Sequence, residues 1–137
     1  MRRKSICKVI ILCMCLVVGS ILSPVASHAQ EANVQVESRV EYITSCEAKL
    51  TISSSGVATC NGFVRGIAGV SSTYVKITLQ QYVSGAWQDV ESWEVSSSGR
   101  STSISETYQV SKGTYSVVAT CQANLEVKEA ISTSETY

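Results

Sequence analysis

From Tyr42 onward the chain is written in period two. Tyr115, Val117, Ala119, Cys121, Ala123, Leu125 and Val127 occupy every second position of one continuous stretch. A helix would need apolar residues at 3.6-residue spacing, whereas strict alternation puts one set of side chains on one face of a pleated strand. Cys46, Ala48, Leu50 and Ile52 alternate with Glu47, Lys49 and Thr51 in the same way. Ala58, Cys60, Gly62 and Val64 share a second face, and Val75, Ile77 and Leu79 alternate with Lys76, Thr78 and Gln80. After Ala29, Val, Ile and Thr together number 31 against 3 Leu, and β-branched side chains fit a pleated surface better than a helix.

Turn signals separate these runs: Ser53-Ser54-Ser55-Gly56, Ser84-Gly85, Ser96-Ser97-Ser98-Gly99 and Ser111-Lys112-Gly113. Residues 100–110 are rich in Ser and Thr and read as an edge strand, and residues 130–137 read as a last strand. No segment sustains a helical period, so nothing is available to cover a parallel sheet. The expected fold is all-β, an antiparallel β-sandwich of immunoglobulin-like kind with about seven strands over residues 41–137. Proline is missing after Ala29, which removes one device for blunting sheet edges.

The N-terminus follows a different grammar. Arg2, Arg3, Lys4 and Lys8 precede an apolar run over residues 9–22, and Ser27 and Ala29 then stand at the minus-three and minus-one positions of a cut after Ala29. That order predicts a signal peptide over residues 1–29. The apolar run of 14 residues falls short of the roughly 20 that span a bilayer, so no stable membrane insertion is expected after cleavage. Residues 30–40 read as a flexible leader or a weak first strand.

Residue types exclude much chemistry. The four basic residues near the start account for the formal neutrality, and the remainder is acidic, without the clustered Lys and Arg that nucleic-acid backbones require. After Ala29 there is no His and no Met, and Asp89 is the only Asp, so Ser-His-Asp, Cys-His, zinc and Asp-rich calcium chemistry lack their parts. No cofactor and no metal is expected. Asp89, Glu91 and Glu94 form the one local carboxylate cluster; Asp89 and Glu91 at spacing two would share a face about 7 Å apart, within the range of glycosidase pairs. Acids on an exposed strand are more simply read as solvated, and the chain is expected not to be an enzyme.

The stretch Tyr42-Ile43-Thr44-Ser45-Cys46-Glu47-Ala48-Lys49-Leu50-Thr51-Ile52-Ser53, followed by Gly56-Val57-Ala58-Thr59-Cys60-Asn61-Gly62, resembles the opening of a family of small secreted proteins of unknown function from Gram-positive anaerobes. Ile77-Thr78-Leu79-Gln80-Gln81-Tyr82, Ser84-Gly85-Ala86-Trp87, Val90 and Ser92-Trp93 are similar to the hairpin those proteins carry. The resemblance implies a secreted β-sandwich and no catalytic residue.

Cleavage after Ala29 leaves Cys46, Cys60 and Cys121, an odd number in a compartment that permits disulfides. In a tight first hairpin Cys46 and Cys60 are offset by three residues, about 10 Å, and a longer loop leaves an offset of four, beyond bridging distance. Cys60 and Cys121 both point to core faces of strands expected to oppose across the sandwich, and are the favoured pair. A Cys46–Cys60 bridge and three reduced thiols are the alternatives.

If Val83 pairs with Ala86 around Ser84-Gly85, Tyr82 lies opposite Trp87 and Lys76 opposite Trp93. Tyr74, Lys76, Tyr82, Trp87 and Trp93 then form one strip on the face away from Val75, Ile77 and Leu79. Such a strip can stack sugar rings or anchor a protein, because aromatic side chains give large contact area at low entropy cost. Cross-strand packing explains the same residues more plainly, and a bulge near Asp89 would turn Trp93 into the core. Two function classes follow: a secreted, non-catalytic binding or adhesion module for an unknown protein or carbohydrate, or a small structural envelope-associated protein with no specific ligand. An exposed aromatic strip separates the first from the second.

Overall fold

The computed structural model describes residues 40–137, so the signal peptide and all but the last residue of the leader lie outside the described residues. Eight antiparallel strands follow in order: β1 (Ile43–Ile52), β2 (Val57–Gly66), β3 (Thr73–Val83), β4 (Ala86–Ser97), β5 (Ser101–Gln109), β6 (Thr114–Ala123), β7 (Glu126–Ile131) and β8 (Glu135–Thr136). They form two sheets, one in the order β1-β2-β5 and the other in the order β4-β3-β6-β7, with β8 also pairing β6. Residues 100–110 thus hold the expected edge strand, since β5 lies at the border of the smaller sheet.

Both sheets direct their even or odd apolar sets inward, and Ala58, Cys60, Val64, Val75, Ile77, Leu79, Val117 and Cys121 are fully buried between them. The layers approach closely at Gly62, where a Cβ would stand 2.5 Å from Ile77 Cγ2 and 2.8 Å from Val75 Cγ1. Tyr115, buried at the start of β6, donates its hydroxyl to the Ser111 carbonyl at 3.0 Å and closes the crossing from β5.

Alternation is reset twice. Ile43 and the inward trio Cys46, Ala48 and Leu50 differ in parity, and the ladder between β1 and β2 slips at Thr44, pairing Ile43 with Gly66 but Ser45 with Arg65. On β4, Val90, Trp93 and Val95 all pack against the core although their numbers differ in parity. The β3–β4 ladder accordingly passes from Gln80↔Asp89 to Leu79↔Glu91, leaving Val90 as the extra residue of a bulge.

The long alternating run that ends on Val127 is not one strand. It breaks at Asn124, whose φ of 50° suits a left-handed turn position that Asn tolerates, and β7 returns with Ala123 opposite Glu126. Leu125 is therefore 92 % exposed at the turn, and Val127 points outward.

The disulfide joins Cys46 to Cys121, across the two sheets, with Cα atoms 5.9 Å apart; Cys60 is free and buried. The expected Cys60–Cys121 pairing is corrected by level rather than by face. Both residues point inward, but Cys121 Sγ lies 3.4 Å from the Phe63 carbonyl oxygen, which places it beside Val64, the ladder partner of Cys46. Cys60 sits opposite Leu50, four residues away along β2, about 13 Å at strand rise. The same offset of four keeps Cys46 from Cys60. Burial pushes the Cys60 thiol up to about 11, so it stays protonated and unreactive at neutral pH.

Closing a loop with a sequence separation of 75 is worth roughly 4.5 kcal/mol in the chain-entropy model. Peptide mapping without reduction is expected to link Cys46 with Cys121, and alkylation of the native protein to leave Cys60 unmodified; a Cys60–Cys121 peptide contradicts the level argument. Gly62→Ala is expected to cost about 1–3 kcal/mol by overpacking against Ile77 and Val75, whereas Ser105→Ala on the exposed face of β5 shifts stability by about 0.5 kcal/mol or less in denaturant titrations.

Candidate functional site

The β3–β4 hairpin closes through Ser84 and Gly85, whose φ angles of 51° and 89° make a two-residue turn that matches strand twist. Val83 pairs with Ala86 and Tyr82 with Trp87, as the sequence predicts. Tyr82 is 49 % and Trp87 41 % exposed, and their ring centroids stand 5.2 Å apart at an interplanar angle of 58°. This pair sits at the hairpin tip on the outer face of the larger sheet.

Polar rows continue from it along the same face. Gln80 Nε2 donates to Asp89 Oδ1 at 2.7 Å, and the hydroxyls of Thr78 and Ser92 meet at 3.0 Å. Lys76 lies opposite Glu94, whose carboxylate accepts the Tyr74 hydroxyl at 2.8 Å. That hydrogen bond, with lesser help from burial and the Glu94 charge, raises the Tyr74 phenol. Tyr74 and Tyr82 are eight positions apart, so the two aromatic ends are about 27 Å from each other.

Trp93 is absent from this face. The Val90 bulge places it opposite Ile77, not Lys76, and it packs edge-on against Tyr108 with centroids 6.2 Å apart. Of the five residues expected in one strip, Tyr82 and Trp87 are brought together, Tyr74 and Lys76 share their face at the far end, and Trp93 lies on the opposite face. The bulge also parts the carboxylates. Asp89 faces outward beside Gln80, while Glu91 takes the position opposite the inward-facing Leu79, so the expected Asp89–Glu91 pair on one face does not form. Mixed parity of Val90 against Trp93 and Val95 is the sequence signal for that bulge.

A second polar cluster went unforeseen. Glu126 and Lys128 hold inward positions of the edge strand β7, opposite Ala123 and Cys121. Glu126 Oε2 accepts the Tyr42 and Ile43 amides, the latter at 2.7 Å, and Lys128 Nζ donates to the Ile43 carbonyl at 3.1 Å and pairs with Glu126 at 3.2 Å. Burial alone would raise the Glu126 carboxyl, but the hydrogen bonds from Ile43, Lys128 and Tyr42 outweigh it and hold it below the usual range. These side chains, with Val40, Glu41, Leu125 and Val127, line a shallow groove where β1 begins. The signal was present as two charges at alternate positions of a six-residue strand.

Trp93→Ala is expected to cost about 2 kcal/mol or more and Trp87→Ala about 1 kcal/mol or less, read from parallel denaturant titrations. Because the Glu126 carboxyl is depressed on folding, its contribution is complete above its ordinary value of 4.5 and is lost as pH falls through the lower folded value. Glu126→Gln should therefore flatten the fall of stability in that acid range, compared with the parent protein by melts from pH 6 downward. Comparison of the chain with family models, curated proteins and solved structures finds no match.

Proposed function

We propose that the chain is a secreted, non-catalytic binding or adhesion module, working at the cell surface or in the extracellular medium, with Trp87 and Tyr82 as its anchors. One observation carries this reading: two large aromatic side chains stand together and half exposed at the tip of the longest hairpin, where the fold gains little from them. Aromatic anchors of this kind dominate recognition surfaces, since they bury much area while freezing few torsions. The order of basic, apolar and small residues at the N-terminus supports export. A cross-sheet disulfide supports an oxidising compartment and the kinship to small secreted proteins that the sequence suggests.

The strand order β1-β2-β5 over β4-β3-β6-β7 supports the immunoglobulin-like reading of the sandwich, as does Tyr115 bonding back to Ser111 at the β5–β6 corner. Separation of Asp89 from Glu91 supports the non-catalytic reading.

The outer face of the smaller sheet favours a second reading, a structural envelope-associated protein. Thr51, Thr59 and Thr107 stand in one row, Lys49, Asn61 and Ser105 in the next, and Phe63 is covered by the Arg65 guanidinium 5.6 Å from its ring. That surface offers no anchor.

The two readings separate on one comparison. Probed against extracellular proteins and carbohydrates of the producing culture, the purified protein should retain a partner that Trp87→Ala loses by tenfold or more while keeping its melting temperature within a few degrees. Retention by neither form favours the structural reading, and equal retention by both removes Trp87 as the anchor.

A further inference from the structure

We propose that the outer face of the β3–β4 hairpin takes a neutral polysaccharide segment lying along the strands, with Trp87 and Tyr82 stacking one sugar and the Gln80–Asp89 and Thr78–Ser92 rows hydrogen-bonding the next. This rests on the binding-module reading and names its ligand class. The aromatic rings offer apolar surface to the C–H faces of a pyranose. Immediately beside them, about 7 Å along the strand, the Gln80 amide and Asp89 carboxylate stand with lone pairs and an N–H still free after their mutual hydrogen bond. A sugar hydroxyl both donates and accepts, so it matches an amide, a carboxylate and two hydroxyls in line.

Charge selects the class further. Asp89 and Glu94 outnumber Lys76 on this face, and Glu94 already holds the Tyr74 hydroxyl, so a polyanionic chain meets net repulsion. A protein partner would need apolar area continuous with the anchors, as interface centres are depleted of charge. Here the Gln80–Asp89 row adjoining the aromatic pair is polar, and the exposed Ile131, which ends the Thr78 row beyond Val118, is not continuous with the anchors.

The test titrates the purified protein with cellohexaose, laminarihexaose, mannohexaose and N-acetylchitohexaose, with polygalacturonate as the anionic control, following tryptophan fluorescence and backbone amide shifts. At least one neutral hexasaccharide should bind saturably, shift amides of residues 78–89, and lose tenfold or more in affinity for Trp87→Ala and severalfold for Gln80→Ala. The melting temperatures of both variants should stay within a few degrees of the parent, and polygalacturonate should not bind. No binding by any neutral hexasaccharide, binding that Trp87→Ala leaves unchanged, or preference for polygalacturonate overturns the assignment. If the hexasaccharides fail while an extracellular protein binds in a Trp87-dependent way, the glycan assignment falls and the module reading stands; if neither binds, both fall.

Discussion

A pleated strand gives each side chain one of two faces, and in this protein both the core and the candidate site depend on where that alternation is reset. Had β4 paired with β3 without interruption from the Ser84-Gly85 turn, Trp93 would have stood opposite Lys76 on the outer face. Val90, bulged out of the ladder, exchanges the faces of everything beyond it. Trp93 and Val95 enter the core with Val90, and Asp89 stays outside beside Trp87 and Gln80. One extra residue thus sorts two tryptophans six positions apart into a packing element and an exposed one. The slip at Thr44 performs the same service for Ile43 at the other end of the sandwich.

Edges pose the second problem, because a proline-free sandwich needs other means to discourage pairing with further strands. On β4 the bulge interrupts the row of backbone groups, and Asp89, Glu91 and Glu94 put charge along it. On β7 the inward positions carry Glu126 and Lys128, which turn to the start of β1 and satisfy the Tyr42 and Ile43 amides and the Ile43 carbonyl. Three residues along β1 from Ile43, Cys46 is tied to Cys121, the ladder partner of Lys128. A polar clamp and a covalent bridge therefore fasten the same border of the two sheets. The β3–β4 hairpin, on the opposite border, remains free to present its tip.

Much of this was legible in the residues. Period two placed Val75, Ile77 and Leu79 inside, the Ser-Gly pairs marked their turns, and Val83 opposite Ala86 set Tyr82 against Trp87. What escaped has a common origin. Alternation reports which face a residue occupies but not its height along a neighbouring strand of the other sheet, and Cys60 and Cys121 share a face while standing about four residues apart in level. The turn at Asn124-Leu125 was hidden because an apolar residue at the turn continued the alternating pattern across it. The bulge near Asp89 was legible as an alternative that turns Trp93 into the core, and it is the one that forms, at Val90, in place of the uninterrupted ladder that sets Trp93 opposite Lys76.

The most direct measurement is nuclear Overhauser contact across β3 and β4. With Val90 bulged, Thr78 should show cross-strand contacts to Ser92 and Leu79 to Glu91, and the Trp93 indole protons should contact the Tyr108 ring, while Trp87 contacts only Tyr82 among the aromatics. Contacts of Lys76 with Trp93, together with no Trp93 contact to Tyr108, would show an uninterrupted ladder and contradict the sorting of the two tryptophans on which the site depends.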